Sequence, residues 1–367
     1  MNWLKKILTR RDQTQFIASP ISLPHADSWN PALPLDDAFV NFPKRVYPDL
    51  KLKPVETESA VRFLFSAANP FFKSGQAFVK VSEVARIAGF YQSALTVNGI
   101  PTAFFGFWES TDVAGNEPQL FKDVEEWAKT FGAKQIFGPV NFNTFGRYRL
   151  QLDHFHEGEN FAQEPTNPSF YPALLKGEGY TLAETYVTYR ASRLDRLRIT
   201  LEKLIVSSGT ADKAYRFVPL SWDYLSEKKE ELRLAINDMF SDNFAFSPID
   251  AASFQLAFNQ SFVESICAET SFVVEHASGR IAAICICHRN KKGSDENLFI
   301  KTVGIVKDYR GKGISLLSMI AYLLSKAQGL SEVQLCLMRK GNFPSLLMDG
   351  LLDEEKTYGL FKKTLSC

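Results

Sequence analysis

The sequence lacks several features that would define a protein class directly. No run of about 18–20 apolar residues occurs, so no membrane-spanning helix is predicted. The 42 Lys and Arg residues nearly balance the 41 Asp and Glu residues, and this absence of basic excess argues against a dedicated nucleic-acid partner. The five cysteines lack the spacing of a disulfide-stapled secreted domain. A reducing, cytoplasmic location is therefore predicted.

Two weak patterns receive structural interpretations. The segment Trp3 to Leu8 places four apolar residues on one helix face among basic residues, but it has no signal-peptide core or cleavage site. We interpret it as a short helix or tail that packs on the body, with a membrane-surface anchor as the alternative. His154 and His156 stand two residues apart in a Gly- and Glu-rich loop, which is too little for a metal site, so none is predicted.

What is present is typical of a globular protein with two domains. The chain has 367 residues and is 45% hydrophobic and 23% charged. A proline-bearing lead-in precedes residue 36, and Ser207–Thr210 form a break near the middle. We therefore predict an N-terminal extension over 1–35, a first domain over 36–205 and a second domain over 211–367.

The second half has a clear order of predicted elements. A strand and helices come first, then an antiparallel meander, then strand–turn–helix, strand, short helix and strand. The first half repeats much of this order, and both halves end with an Asn, a short helix, a Gly and an aromatic strand. The predicted fold class is α+β, with two similar domains that each contain a mixed, mostly antiparallel sheet flanked by helices.

The segment with the most chemical information runs from a predicted strand into a helix, Val303-Gly-Ile-Val-Lys-Asp-Tyr-Arg-Gly-Lys-Gly-Ile-Ser315. Glycines beside a first helical turn let the backbone approach a ligand, and the helix N-terminus favours phosphate or pyrophosphate. Arg310 and Lys312 add positive charge at the rim. The segment is neither a Walker P-loop, which needs Gly-x4-Gly-Lys, nor a three-glycine dinucleotide fingerprint.

This segment resembles the acyl-CoA-binding motif of the GCN5-related N-acetyltransferase (GNAT) superfamily, Arg/Gln-x-x-Gly-x-Gly/Ala. Arg310, Gly313 and Ser315 take those three places. Ser315 departs from the usual Gly or Ala, and Lys307 stands where Pro is common. The resemblance covers about 214–365 and implies that acetyl-CoA or another acyl-CoA binds there. The implied contacts are Ile305, Val306, Arg310, Gly311, Lys312, Gly313, Ile314, Ser315 and Asn342.

The first half looks like a degenerate second copy. Its counterpart of the phosphate turn, Ser110–Pro118, lacks Arg-x-x-Gly and carries Asp112 and Glu117, whose charges would repel pyrophosphate. The halves together resemble bacterial tandem GNAT-like proteins. We therefore place the cofactor in the second half alone.

The catalytic residues are less defined by the sequence. In many GNAT enzymes a Tyr on the short helix after the Asn protonates the thiolate, but the helix after Asn342 contains none. Tyr171 occupies that helix in the first half and is the candidate acid, with packing as the alternative. Asn141 and Asn143 are candidate substrate residues. Cys285, Cys287 and His288 are interpreted as buried strand residues, although a Cys nucleophile is conceivable.

The predicted function is N-acylation of a small-molecule amine by direct attack on an acyl-CoA thioester. Two alternatives stay open. One is a non-catalytic acyl-CoA-binding or regulatory protein, and the other is an acyltransferase whose donor is an acyl carrier protein docked near Lys312.

Overall fold

A computed structural model describes residues 28–47, 56–112, 118–153, 164–208, 214–292, 295–327, 329–348 and 351–366. Most of the predicted N-terminal extension, Glu117, His154 and His156 lie outside these residues. Within the described ranges, no helix is long and apolar enough to cross a membrane.

The described chain forms twelve helices and twelve strands, besides two short 3-10 turns. The helices are α1 Asp37–Asn41, α2 Pro43–Val46, α3 Glu58–Leu64, α4 Gln119–Thr130, α5 Tyr171–Gly177, α6 Leu194–Ser208, α7 Trp222–Glu227, α8 Lys229–Phe240, α9 Ala251–Ala257, α10 Gln260–Ser265, α11 Leu316–Lys326 and α12 Phe343–Met348. The strands are β1 Gly75–Val81, β2 Ala85–Val97, β3 Ile100–Ser110, β4 Gln135–Gly138, β5 Leu150–Gln151, β6 Thr181–Ala191, β7 Tyr215–Pro219, β8 Phe272–His276, β9 Ile281–Lys292, β10 Asp295–Ile305, β11 Glu332–Arg339 and β12 Asp353–Thr364.

All these strands belong to one mixed sheet. Its order is β1-β2-β3-β4-β12-β6-β11-β10-β9-β8-β7, and β5 pairs with β12. The described pairings are antiparallel except for β3 with β4 and β10 with β11. The fold is therefore α+β, a large mixed sheet flanked by helices, as predicted.

The last strands of the two halves are exchanged. Strand β6 ends the first half but pairs with β11 of the second half, and β12 ends the second half but pairs with β4 of the first. Strands β6 and β12 also pair with each other. The halves thus share one continuous sheet, whereas the sequence predicts a sheet in each domain. The physical reason is that strand pairing depends on contacts between segments far apart in the chain, such as Phe137 of β4 with Lys362 of β12, which the pattern of each half does not reveal.

Helices pack on the sheet where small residues allow close approach. A Cβ at Gly89 of β2 would lie 2.5 Å from Val124 and 2.8 Å from Trp127 of α4, and one at Gly304 of β10 would lie 2.9 Å from Phe240 of α8. Helix α11 buries the apolar face predicted for it in the core of the second half. These contacts fix both helices that border the phosphate turn.

Candidate functional site

The site begins where two parallel strands separate. Strands β10 and β11 pair from Asn297 with Glu332 to Ile300 with Leu335, and then part. Beyond this point β10 continues along β9, and β11 continues along β6. We call the space between 302–305 of β10 and 336–339 of β11 the strand gap.

Backbone groups of β10 line the strand gap. The Val306 N–H donates to the Ala282 carbonyl of the β9 side at 2.8 Å. Because N–H and C=O directions alternate along a strand, Val303 and Ile305 direct their groups to the opposite side, into the gap. An extended ligand could add to β10 there as a further strand. The sequence analysis predicts Ile305 and Val306 as contacts. The Ile305 groups face the gap, whereas the Val306 N–H faces β9, and the predicted contacts of both residues with a cofactor stay predictions.

The predicted phosphate turn follows β10. A 3-10 turn at Lys307–Tyr309 leads to Gly311 and Gly313, whose φ angles of 71° and 86° favour glycine. Neither glycine N–H donates to an acceptor in the described chain. Ser315 then caps α11, because its hydroxyl accepts from the Ser318 N–H at 3.1 Å. The turn and the helix N-terminus form a shape that suits a phosphate group.

Arg310 holds the turn in place through contacts within the chain. Its Nε donates to the Ile305 carbonyl at 3.1 Å, and its Nη2 donates to the Met239 carbonyl at the end of α8 at 2.8 Å. Its Nη1 is 3.0 Å from Asp242, which also pairs with Lys307 at 2.7 Å. These two cations lower the pKa of the Asp242 carboxyl. The rim charge predicted for Arg310 is thus offset by a carboxylate that the sequence did not indicate.

Two other residues anchor the surroundings of the turn. The Tyr215 hydroxyl of β7 donates to the Lys312 carbonyl, so the neighbouring edge strand supports the loop. The Asn342 side chain accepts from the Ser345 N–H at 2.9 Å and begins α12. In this structure, Asn342 therefore acts as a helix cap. Its predicted contact with a cofactor stays a prediction.

The corresponding space in the first half is filled by the chain itself. Strands β3 and β4 pair only as far as Phe104 with Phe137, and Val140 then donates to the Phe105 carbonyl at 2.7 Å. The Asn141 Oδ1 accepts from the Phe107 N–H at 2.8 Å. A Cβ at Gly106 would lie 2.4 Å from the Val140 carbonyl oxygen, so the fit is tight. This segment blocks the addition of an extended ligand to β3.

The candidate acid Tyr171 lies in a buried polar cluster of the first half. Its hydroxyl donates to Glu109 at 3.0 Å and accepts from the Ser110 N–H at 2.6 Å. Tyr47 donates to the same carboxylate at 2.8 Å. Burial, and then the negative charge of Glu109, raise the pKa of Tyr171 well above its ordinary value. This environment makes the phenol a weaker acid.

Tyr171 and Asn141 line one cavity, together with Arg147, Tyr148 and Glu109. This cavity has room for only one or two water molecules. The Asn141 amide also donates to Glu56 at 2.8 Å. The sequence thus identified residues that do come together, in a cavity with the size of a hydration site.

The remaining candidates have local partners. The Asn143 Oδ1 accepts from the Phe145 N–H at 2.9 Å within its own loop. The Cys285 and Cys287 sulfurs are buried 3.7 Å apart, and burial raises the pKa of the Cys287 thiol. Burial also lowers the pKa of His288 to about 4, so it is a poor base for a thiol. In the part of the chain that is described, no cluster of three metal-ligating side chains occurs.

We expect Tyr171→Phe to leave CoA binding unchanged and to lower stability by about 1–2 kcal/mol, because the Ser110 N–H loses a buried acceptor. Urea unfolding and calorimetric CoA titration measure the two effects. If acyl transfer to amines falls at least tenfold while CoA binding stays intact, Tyr171 has the catalytic role that the sequence predicts. An unchanged rate removes it from the mechanism.

Comparisons with known proteins identify the fold of the chain. No protein-family model matches the sequence, and no curated protein matches it significantly. Among solved structures, the chain is similar to the glucosamine N-acetyltransferase region of a fungal multi-domain GH3 β-N-acetylglucosaminidase, with a TM-score of 0.52, 12% identity, and coverage of 92% of this chain and 38% of that one.

Two further structures have bacterial sources. A conserved protein from Enterococcus faecalis, described as a probable N-acyltransferase, gives a TM-score of 0.51 at 9% identity over 89% of this chain and 69% of that one. A GCN5-related N-acetyltransferase from Sphaerobacter thermophilus gives 0.43 at 12% identity over 78% of this chain and 82% of that one.

The two likenesses above 0.5 show that the chain has the fold of the GCN5-related N-acetyltransferases. The resemblance to this superfamily, which the sequence of the phosphate turn indicates, is therefore confirmed at the level of the fold.

Proposed function

We propose that the chain is an acyl-CoA-dependent N-acyltransferase whose donor binds in the second half. The observation that carries the proposal is the strand gap, which opens directly onto a glycine turn and a capped helix N-terminus. This combination provides backbone groups for an amide-bearing arm and N–H groups for a pyrophosphate. Acetyl-CoA is the simplest donor, and a small-molecule amine is the proposed acceptor.

The chain's own residues would perform three tasks. The N–H groups of Gly311 and Gly313 bind phosphate oxygens, and Val303 and Ile305 hold the pantetheine arm along β10. A backbone N–H beside the thioester carbonyl stabilises the developing oxyanion, an effect worth a few kcal/mol. A free thiol has a pKa of about 8.5, so the thiolate can leave without a dedicated acid at a tolerable cost in rate.

The two alternative functions predict different properties of the protein. A non-catalytic acyl-CoA-binding protein would bind CoA but transfer no acyl group to any amine in a panel. An acyl carrier protein as donor would need an exposed basic surface at the turn. The pairing of Lys307 and Arg310 with Asp242 weakens such a surface and favours the CoA donor.

We expect one CoA to bind per chain. The second half has an open strand gap, whereas Asn141 and Val140 fill the corresponding space in the first half. Calorimetric titration and native mass spectrometry count the bound equivalents. Two equivalents would contradict the assignment of the first half as a degenerate copy, and none would contradict the proposed function.

A further inference from the structure

The cavity of the first half that Tyr171 and Asn141 line has an excess of positive charge. Three guanidinium groups and two carboxylates are on its walls, those of Arg86, Arg147, Arg149, Glu56 and Glu109. The phenols of Tyr47 and Tyr171 stay neutral, because burial raises the pKa of each well above its ordinary value. The residues that line the cavity therefore have one positive charge more than they have negative charges.

Two of the three guanidinium groups have a carboxylate as neighbour. The Nη1 of Arg147 lies 3.8 Å from the Glu56 carboxylate, and the negative charge of Glu109 acts on Arg86. The groups that stabilise the charge of Arg149 are tyrosine hydroxyls rather than carboxylates. The excess charge of the cavity therefore belongs to Arg149.

Arg149 is held in place by stacking. Its guanidinium lies between the rings of Tyr148 and Tyr186, 3.6 and 3.8 Å from their centroids, and its Nη2 donates to the Tyr148 hydroxyl. Its backbone N–H donates to the Pro139 carbonyl at 2.9 Å. The residue is 6% exposed, and burial lowers its pKa to about 10, so it is charged at neutral pH. A buried cation without a counter-charge is costly, and an anion beside it removes much of that cost.

The cavity also offers hydrogen-bond donors. The Nε of Arg149, the Nε of Arg86 and the Thr166 hydroxyl are buried without a hydrogen-bond partner in the described chain, and all three residues line the cavity. A guanidinium nitrogen can only donate, and a hydroxyl can also donate. Water would bring two hydrogens that need acceptors, and the two carboxylates already accept from Asn141 and two tyrosines. An anion only accepts, so this set of donors suits it better.

We propose that the cavity binds one monovalent inorganic anion of about the size of a water molecule, such as chloride, beside Arg149. The space admits one or two water molecules, so a carboxylate with a carbon chain is too large for it. The inference is independent of the proposed function, because the described residues that line the cavity include none of the strand gap or the phosphate turn. The anion would stabilise the segment from Pro139 to Arg149, which fills the first half's counterpart of the strand gap.

Urea unfolding in matched salts tests the proposal. We expect the folding equilibrium constant to rise about tenfold when about 100 mM sodium gluconate, whose anion is too large for the cavity, is replaced by sodium chloride, as a dissociation constant of about 10 mM requires. The constant ionic strength separates binding from general screening. The effect saturates with chloride, and bromide reproduces it. Equal stability in the chloride and gluconate salts overturns the inference.

Two variants assign the effect to Arg149. Arg149→Met is expected to abolish the dependence on chloride, because Met keeps an apolar chain between the rings and has no charge. Arg45→Met is the matched control, since it removes an exposed guanidinium 5.7 Å from the Phe42 ring, and it is expected to keep the full dependence. A dependence that persists in the folded Arg149→Met protein, or that Arg45→Met also abolishes, overturns the inference.

Crystals of the unaltered protein grown in sodium bromide give a measurement that needs no variant. We expect an anomalous bromide peak in the cavity, within hydrogen-bond distance of the Arg149 Nε. A cavity that contains only water in these crystals overturns the inference, even where bromide binds elsewhere on the protein. A bromide peak without any stabilisation in solution means binding at crystal concentration only, and it also overturns the inference.

Discussion

Replacement of Gly313 by Glu is expected to weaken CoA binding at least 100-fold. Gly313 has a φ of 86°, a conformation that costs other residues about 1–2 kcal/mol. A carboxylate there also repels pyrophosphate and competes for the N–H groups at the start of α11. Calorimetric titration of CoA measures the loss.

Gly279→Glu is the matched control for this substitution. Gly279 lies between β8 and β9 with a φ of 78°, and a Cβ there has no heavy atom within 4 Å. The control therefore adds the same charge and a similar backbone strain away from the turn, and its CoA affinity is expected to equal that of the unaltered protein. Equal affinity in the folded Gly313→Glu protein would refute the cofactor assignment.

Glu164→Gln is expected to destabilise the fold by about 3–5 kcal/mol. The Glu164 and Lys356 side chains are fully buried, with 3.8 Å between the carboxylate and the ammonium. An isosteric amide leaves the buried ammonium without this counter-charge, and such losses are among the largest single-residue effects. Urea unfolding measures the change.

Two further variants test the explanation. Glu164→Gln combined with Lys356→Met removes both charges and is expected to recover most of the loss. Glu126→Gln breaks an exposed pair with Lys129 and is expected to cost less than about 1 kcal/mol. A similar small loss for Glu164→Gln alone would mean that the buried pair contributes little.

The phosphate turn could be predicted from the sequence because its causes are local. Gly311 and Gly313 adopt positive φ angles, and Ser315 caps a helix whose apolar periodicity is visible in the residues that follow. The strand before the turn and the helix after it were also predicted from local patterns, and their predicted ends differ from those in the structure by a few residues.

The residues of the two strands alone do not reveal the strand gap, which only the family resemblance implies, because it depends on distant residues. Strand β11 leaves β10 where Leu337 has a φ of 59° and its N–H donates to the Thr188 hydroxyl of β6, at 3.2 Å. Nothing in the local pattern of β11 reveals this partner.

The partners of Tyr171 show a second limit of sequence reasoning. The prediction that Tyr171 lies on a short helix after Asn167 is confirmed. Its hydrogen-bond partner, the buried carboxylate of Glu109, is 62 residues away in the chain. The hydrogen bond between them determines the environment of the phenol. A hydrogen bond between a polar residue and a distant strand produces no periodic pattern in the sequence.

The strand exchange has a consequence for synthesis on the ribosome. Strand β4 acquires its β12 neighbour only after more than two hundred further residues have been translated, since Phe137 pairs with Lys362. Until then the nascent first half exposes an unpaired strand edge, which can recruit other chains. Contacts of such large sequence separation also form slowly. The first half is therefore expected to depend on chaperones until translation is complete, even though most of its own strands are made early.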